Sequence, residues 1–234
     1  MNVSTHEIER SITPLRCVFW GSLLCVLDIT FSETSPSGGW RFDILNDFVG
    51  MLLIVWGVMR LATFDVHGRY GKAMRFVTVV AVLSCVDAFQ AHFIYAKSSM
   101  LAFLLSLLGV AAMVATVVFC VAMRWLSEEA DLPRAAGSWR KTTILFVVIY
   151  LIPLGLFYAA AAIAVATDSS FNINLGPAGL LLVPVFFIPI IHLFISTSRM
   201  MSDAEALAEA SAYDDAREDD YSPPTDETDE GWMG

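Results

Sequence analysis

Apolar segments long enough to cross a bilayer recur along this 234-residue chain, and they constrain its fold more than any other feature. Hydrophobic residues make up 56% of the sequence and charged residues only 16%, which is too little charge for a soluble domain of this length. The pattern predicts an all-α integral membrane bundle of six transmembrane helices. We expect the spans at residues 15–31, 43–64, 73–96, 100–126, 142–166 and 177–198.

Charge divides the chain into three regions. Residues 1–14 form a polar N-terminal segment, residues 15–200 the six-span transmembrane domain, and residues 201–234 an acidic tail. From Asp203 onward there are twelve acidic residues and one base, Arg217, whereas the preceding part carries twelve acids and thirteen bases. A tail with so little to bury is predicted to be disordered beyond about residue 213, and it would attract a basic protein partner. No basic patch points to nucleic acid.

The distribution of lysine and arginine predicts the orientation. Eleven of these residues fall on the side of the N-terminus and two on the opposite side. This bias predicts a multi-pass membrane protein with both termini in the cytoplasm. Tyr70 and Trp139 would then lie at the inner interface. A cleaved signal peptide is the alternative to a retained first span, but Asp28 interrupts its apolar run and no positive segment precedes it.

The second span carries a stripe along one helical face. The stripe consists of Asp43, Asp47, Gly50, Ile54, Gly57 and Leu61, at spacings of three and four. Small residues let helix backbones approach closely in lipid, so we expect packing through Gly50 and Gly57, with Val58 off the stripe. The other spans carry similar stripes, including Gly155 and Ala159 in the fifth, which would serve helix packing or an oligomer.

This second span also contains the element D-x-L-x-D-x-x-G-x-x-L-I-x-x-G. It is formed by Asp43, Leu45, Asp47, Gly50, Leu53, Ile54 and Gly57. The element resembles one found in small uncharacterised bacterial multipass membrane proteins, many of which have proline where this chain has Asn46. The resemblance implies a bacterial membrane protein and implies no activity.

Three polar residues within the spans form a candidate intramembrane site: Asp87, Gln90 and His192. An acid in an apolar span is costly unless it is protonated, paired or hydrated. Asp87, expected near the middle of the third span, is therefore either a structural hydrogen-bonding residue or part of a solute path. Asp87 and His192 should differ in depth by roughly 10 Å at about 1.5 Å per residue, which argues against a direct pair.

A second group of acids, Asp28, Asp43 and Asp47, is expected at the outer face. Asp43 and Asp47 would lie one helical turn apart and share a face. They are either first-turn acids stabilised by the helix dipole or an entry site for a cation or substrate.

No standard catalytic motif occurs, so the sequence assigns no catalytic, cofactor-binding or metal-ligating residue. The four cysteines lie in apolar segments without a C-x-x-C pair, which argues against a disulfide framework or a zinc site. Two functions remain open. The first is a non-enzymatic accessory or scaffolding protein that contacts membrane lipid and recruits a basic partner through its tail. The second is a small-solute or ion transporter or channel that uses Asp87, Gln90 and His192.

Overall fold

The computed structural model describes residues 5–26, 30–35, 38–43, 47–93, 99–167 and 178–220. Within these ranges the chain is all-α apart from one β-hairpin. The helices are α1 (Thr5–Val26), α2 (Asp47–Leu61), α3 (Gly68–Phe93), α4 (Ser99–Glu129), α5 (Pro133–Phe146), α6 (Ile152–Ala166) and α7 (Ala178–Asp220). The hairpin pairs β1 (Thr30–Ser35) with β2 (Gly38–Asp43) in antiparallel register.

Six of the helices form a closed ring. Each of α1, α2, α3 and α4 packs against the next, α5 packs against α7, and α7 packs back against α1. The buried core lies toward the end of the ring where α2 leads into α3 and α4 into α5. We call this the basic end, because Arg60, Arg69 and Arg140 lie there; the opposite end carries the hairpin and is called the hairpin end.

Four helical segments of the described chain are long and apolar enough to cross a membrane. They are Gly68–Gln90, Leu104–Glu129, Pro133–Ala160 and Pro184–Ala210. Large apolar side chains project from them, including Val79 at 58% exposure and Leu156 at 66%, as expected for a lipid-facing surface. The chain is therefore a membrane protein by its helices. Helices α1 and α2 do not meet the same criterion, and α2 has only 15 residues, or about 22 Å.

The first and second spans differ from their predicted bounds. Helix α1 begins at Thr5 and continues through Pro14, so the polar N-terminal segment is part of the same helix. Asp43 lies in β2, opposite Thr30, and α2 begins only at Asp47. The prediction that Asp43 and Asp47 share a helical face was therefore wrong. The aromatic and β-branched residues of segments 30–34 and 40–42 favour strands, and these segments form the two strands of the hairpin.

The later helices also extend beyond the apolar segments that predicted them. Helix α5 begins at Pro133, a residue favoured in the first helical turn, so Ser138 lies inside the helix. Helix α7 continues past Tyr213 to Asp220, through a stretch rich in alanine and glutamate, which are strong helix formers. The prediction of disorder from about residue 213 does not agree with this helix, and residues 221–234 lie outside the described ranges.

The fifth span contains a π-helical turn. It covers Val147–Leu151 and joins α5 to α6 immediately before Pro153. Proline lacks a backbone N–H and its ring clashes with the carbonyl four residues earlier in an α-helix. One wider turn relieves that clash and lets the helix continue.

Candidate functional site

A group of hydrogen-bonded polar side chains joins α5 to α7 inside the bundle. Thr142 Oγ1 lies 2.7 Å from His192 Nδ1 and 2.7 Å from Ser196 Oγ. Ser196 Oγ lies 2.8 Å from Ser138 Oγ and 3.4 Å from His192 Nδ1. Ser138, Thr142 and Ser196 are buried, and His192 is half-buried. We call these four residues the α5–α7 network.

The spacing of these residues explains how the network forms. Ser138 and Thr142 are four residues apart on α5, and His192 and Ser196 are four residues apart on α7. Each pair therefore presents its side chains on one helical face, and the two faces meet where α5 packs on α7. A polar group within an apolar bundle is costly unless it is hydrogen-bonded, so each helix supplies the partners that the other needs.

Toward the basic end the network is followed by a sulfur contact. Met200 Sδ accepts hydrogen bonds from Trp139 Nε1 at 3.3 Å and from Ser127 Oγ at 3.5 Å. The neighbouring Arg199 donates from its guanidinium to Ser138 Oγ at 3.5 Å. Polar contacts between helices thus continue for two turns of α7, from His192 to Met200.

The His192–Ser196 pair has two members of a nucleophile–base arrangement, but its setting does not suit that chemistry. Ser196 is 0% exposed, so a substrate could not approach its hydroxyl. The third member is the hydroxyl of Thr142, which cannot stabilise a charged imidazole as a carboxylate does. The arrangement can hold two helices in register, because each hydroxyl both donates and accepts.

The other two residues of the predicted intramembrane site lie elsewhere in the ring. Asp87 and Gln90 are on α3, which packs against α2 and α4, and His192 is on α7. His192 Nδ1 lies within hydrogen-bond distance of Thr142 Oγ1 and Ser196 Oγ, and among the described helices α7 packs against α5 and α1 and not against α3. The structure therefore does not bring the predicted site together.

Asp87 also lies nearer one end of its span than predicted. It is in the last two turns of α3, which ends at Phe93, and not near the middle. The ring of Phe89, two residues on, packs against Phe48 in the first turn of α2, with ring centroids 5.3 Å apart. Since α2 begins at the hairpin end, Asp87 is close to that end of the bundle.

The predicted outer acids are also dispersed. Asp47 opens α2, and its backbone carbonyl accepts a weak hydrogen bond from Cys25 Sγ at 3.7 Å. Asp43 lies in β2, and Asp28 lies outside the described residues. Among the residues that the structure describes, no group of three or more His, Cys, Asp or Glu side chains could hold a metal ion.

A cavity of about 260 Å³ lies inside the ring. Five helices line it, and among the lining side chains only Ser22, Ser84 and Thr116 are polar. Thr116 Oγ1 already donates to the carbonyl of Ala112 at 3.0 Å. A cavity with so few polar partners suits an apolar molecule and offers little to an ion or a polar solute.

No known protein family, no curated protein and no solved structure matches this chain. The likeness of its second span to small bacterial multipass proteins therefore carries no function with it. The partner of His192 on α5 was missed from the sequence because Thr142 is fifty residues away along the chain. The matching i, i+4 spacing of the two polar pairs is the signal that could have indicated it.

Proposed function

We propose that this chain is a non-enzymatic accessory or scaffolding protein of a bacterial inner membrane, and that it presents an acidic segment to a basic partner. The observation that carries the proposal is the continuation of α7. A single helix runs from the apolar part of the bundle to Asp220, so the acidic segment from Asp203 is attached to the bundle by a helix and not by a flexible linker.

Contacts with α1 fix the first part of this segment. Arg16 and Glu205 form an ion pair with an N–O distance of 2.5 Å, and Ala204 is completely buried. Leu207 packs against the core. Beyond these contacts Glu209 is exposed, and Tyr213 is 70% exposed. Glu209 and Tyr213 can thus be reached by another molecule, as the proposal requires of the acidic helix.

We further propose that all six helices of the ring cross the membrane, with both termini in the cytoplasm. Two observations support this. Helices α1 and α2 are members of the same closed ring as the four longer spans. In addition, the arginine and lysine residues are concentrated at the basic end, as the positive-inside rule requires of a cytoplasmic end.

Transport is less well supported by the geometry. A path for a proton or cation needs a series of polar or hydrated groups across the membrane. Here His192 is engaged between α5 and α7, Asp87 lies on another helix, and the cavity within the ring is lined mainly by apolar side chains.

Two variants of the full chain separate the two functions. The first replaces Asp214, Asp215 and Glu218 with Asn, Asn and Gln, and the second is Asp87→Asn. Both are produced in cells with a photo-crosslinking residue at the exposed position of Tyr213, and crosslinked partners are identified by mass spectrometry. The scaffold proposal expects a specific basic partner that is lost in the first variant and retained in the second.

The transport function predicts the opposite pattern. Proteoliposomes containing the full chain would then show cation-dependent uptake that Asp87→Asn abolishes and tail neutralisation leaves intact. That result, or an identical set of crosslinked proteins with and without the tail charges, would contradict the scaffold proposal.

A further inference from the structure

We infer that the surface between α1 and α2 at the basic end binds an anionic phospholipid, with its headgroup between Arg10 and Arg60 and an acyl chain along α2. This inference rests on the insertion of the bundle in a membrane, and it does not depend on the scaffolding role or on the tail. Two adjoining depressions on the α1–α2 surface carry it.

The first depression is polar and basic, with a volume of about 410 Å³. It is lined by Arg10, Thr13, Pro14, Trp56, Arg60, Thr63 and Phe64. None of these residues is acidic, and the two ion pairs formed between described side chains, Arg16–Glu205 and Arg124–Glu128, involve neither Arg10 nor Arg60. The Thr63 hydroxyl donates to the Arg60 carbonyl at 2.7 Å, so the two guanidinium groups are the charged donors that this depression offers. They make a suitable site for a phosphate group, because guanidinium binds phosphate through parallel N–H donors.

Trp56 joins this basic depression to the apolar surface below it. The Arg60 guanidinium carbon lies 5.5 Å from the centre of the Trp56 ring, within the range of a cation–π contact. Trp56 is 42% exposed. A half-exposed tryptophan beside an arginine is the typical composition of a membrane interface, where the ring lies at the level of the headgroups.

The second depression is apolar, with a volume of about 660 Å³. It is lined by Cys17, Val49, Leu52, Leu53, Val55, Trp56 and Met59, so that Trp56 belongs to both depressions. From Met59 to Val49 the helix rises by roughly 15 Å, which equals about half of the hydrocarbon thickness of a bilayer. The groove therefore matches the length of one leaflet, measured from the headgroup level inward.

The helix spacing explains why the two depressions meet. Arg10, Thr13 and Cys17 follow one another at intervals of three and four on α1. Trp56 and Arg60 are four residues apart on α2, and Thr63 lies in the turn that follows it. Since the two helices are connected by a hairpin and run antiparallel, their arginines come to the same end. Leu52 and Val49 extend the α2 face toward the membrane interior.

A phospholipid is the ligand that uses both depressions. A free phosphate or another small anion would occupy only the basic depression and gain nothing from the apolar groove. A zwitterionic lipid would bring a positive group close to the two guanidinium groups. A basic pocket at the membrane surface that continues into an apolar groove therefore favours an anionic headgroup with its own acyl chain.

The test uses the full chain purified in detergent, incubated with phosphatidylglycerol or with phosphatidylcholine of the same acyl chains, and examined by native mass spectrometry. The variant Arg10→Gln/Arg60→Gln removes both charges of the pocket, and Arg69→Gln/Arg140→Gln is the control with two exposed arginines outside it. Each basic residue near the surface contributes about fivefold in affinity, so we expect roughly a 25-fold loss of phosphatidylglycerol binding in the first variant and no change in the second.

Three further variants examine the groove and protect the test against misfolding. Leu52→Ser removes an apolar lining residue that is 46% exposed, and Leu83→Ser removes one from α3 that is 49% exposed and lies outside the groove. Only the first should weaken phosphatidylglycerol binding. Arg10→Lys/Arg60→Lys keeps both charges and should retain most of the binding, which would show that a loss in the glutamine variant comes from charge.

Three results would overturn the inference. They are equal retention of phosphatidylglycerol by the two double glutamine variants, equal binding of phosphatidylcholine and phosphatidylglycerol by the unaltered chain, and displacement of the lipid by inorganic phosphate at millimolar concentration. The last result would show that the site recognises the anion alone.

Discussion

Gly57 of α2 lies so close to Pro14 of α1 that a Cβ atom on Gly57 would stand only 2.6 Å from the Pro14 carbonyl oxygen. A second close contact lies two helical turns further along the same interface. There a Cβ on Gly21 would stand 2.5 Å from the Gly50 carbonyl oxygen. The two backbones are therefore as near to each other as glycine permits, which confirms that the second span packs through Gly50 and Gly57.

We expect Gly57→Ala to destabilise the bundle, because the new methyl group can fit only if α1 and α2 separate. Overpacking of this kind costs about 1–3 kcal/mol. Gly109→Ala on α4 is the matched control, since nothing in the described part of the chain lies within 4 Å of its Cβ position. Thermal unfolding in detergent should show a lower Tm for the first variant and an unchanged or slightly higher Tm for the second. Similar losses in both would contradict the packing argument.

Val58 is buried, although it lies outside the stripe of small residues in the sequence. Its side chain is only 2% exposed. A helix stripe predicts which residues approach a single neighbour, whereas α2 packs against both α1 and α3. A residue of α2 can therefore be buried by either neighbouring helix, and the spacing of small residues predicts only one of the two contacts.

We expect Thr142→Val to destabilise the α5–α7 contact. Valine has nearly the same shape but leaves His192 Nδ1 and Ser196 Oγ without the hydroxyl that each of them contacts at 2.7 Å. The loss should be about 1–3 kcal/mol. Thr143→Val is the control, because the Thr143 hydroxyl bonds only to the Trp139 carbonyl of its own helix. Equal changes in Tm for the two variants would exclude a special role of the network.

Truncation should divide the acidic tail into a part that stabilises the bundle and a part that does not. Removal of everything after Ala212 should leave the Tm in detergent unchanged, because the described contacts of the tail with the bundle, at Ala204, Glu205 and Leu207, all precede the cut. Removal of everything after Ser202 should lower the Tm, because it eliminates Ala204, Leu207 and the ion pair of Glu205 with Arg16. A loss of stability already at Ala212 would mean that the distal tail also docks on the bundle.

Reporter fusions test the six-span topology. Fusions after Ser98 and Ser169 should report the outside, and fusions after Asp131 and Gly234 should report the cytoplasm. The physical reason is the retention of arginine and lysine on the cytoplasmic side. A cytoplasmic signal at Ser98 would contradict the orientation, and an N-terminus of the mature protein near Ser32 would show that the first span is a cleaved signal peptide.

The fold class and the glycine contacts could be predicted because both depend on local spacing within one helix. The α5–α7 network could not, because it depends on which helices become neighbours. Tyr70 and Trp139 illustrate the same limit. Both were expected at the inner interface as amphipathic aromatic residues, yet both are 0% exposed. Tyr70 donates its hydroxyl proton to the Leu61 carbonyl and Trp139 its N–H to Met200, so each satisfies its polar group inside the protein.

The π-helical turn at Val147–Leu151 also decides which side of the fifth span faces the lipid. It holds one residue more than an α-helical turn, and one residue corresponds to a rotation of about 100°. An uninterrupted α-helix would place certain residues of α6 on the same face as Ser138 and Thr142. Because of the extra residue, those residues lie on a different face. Gly155 and Ala159, the stripe of small residues expected to pack against another helix, are exposed. Deleting one residue from the turn would rotate α6 by about 100° about its axis and bring a different face of it toward the lipid, while leaving every residue of α5 in place.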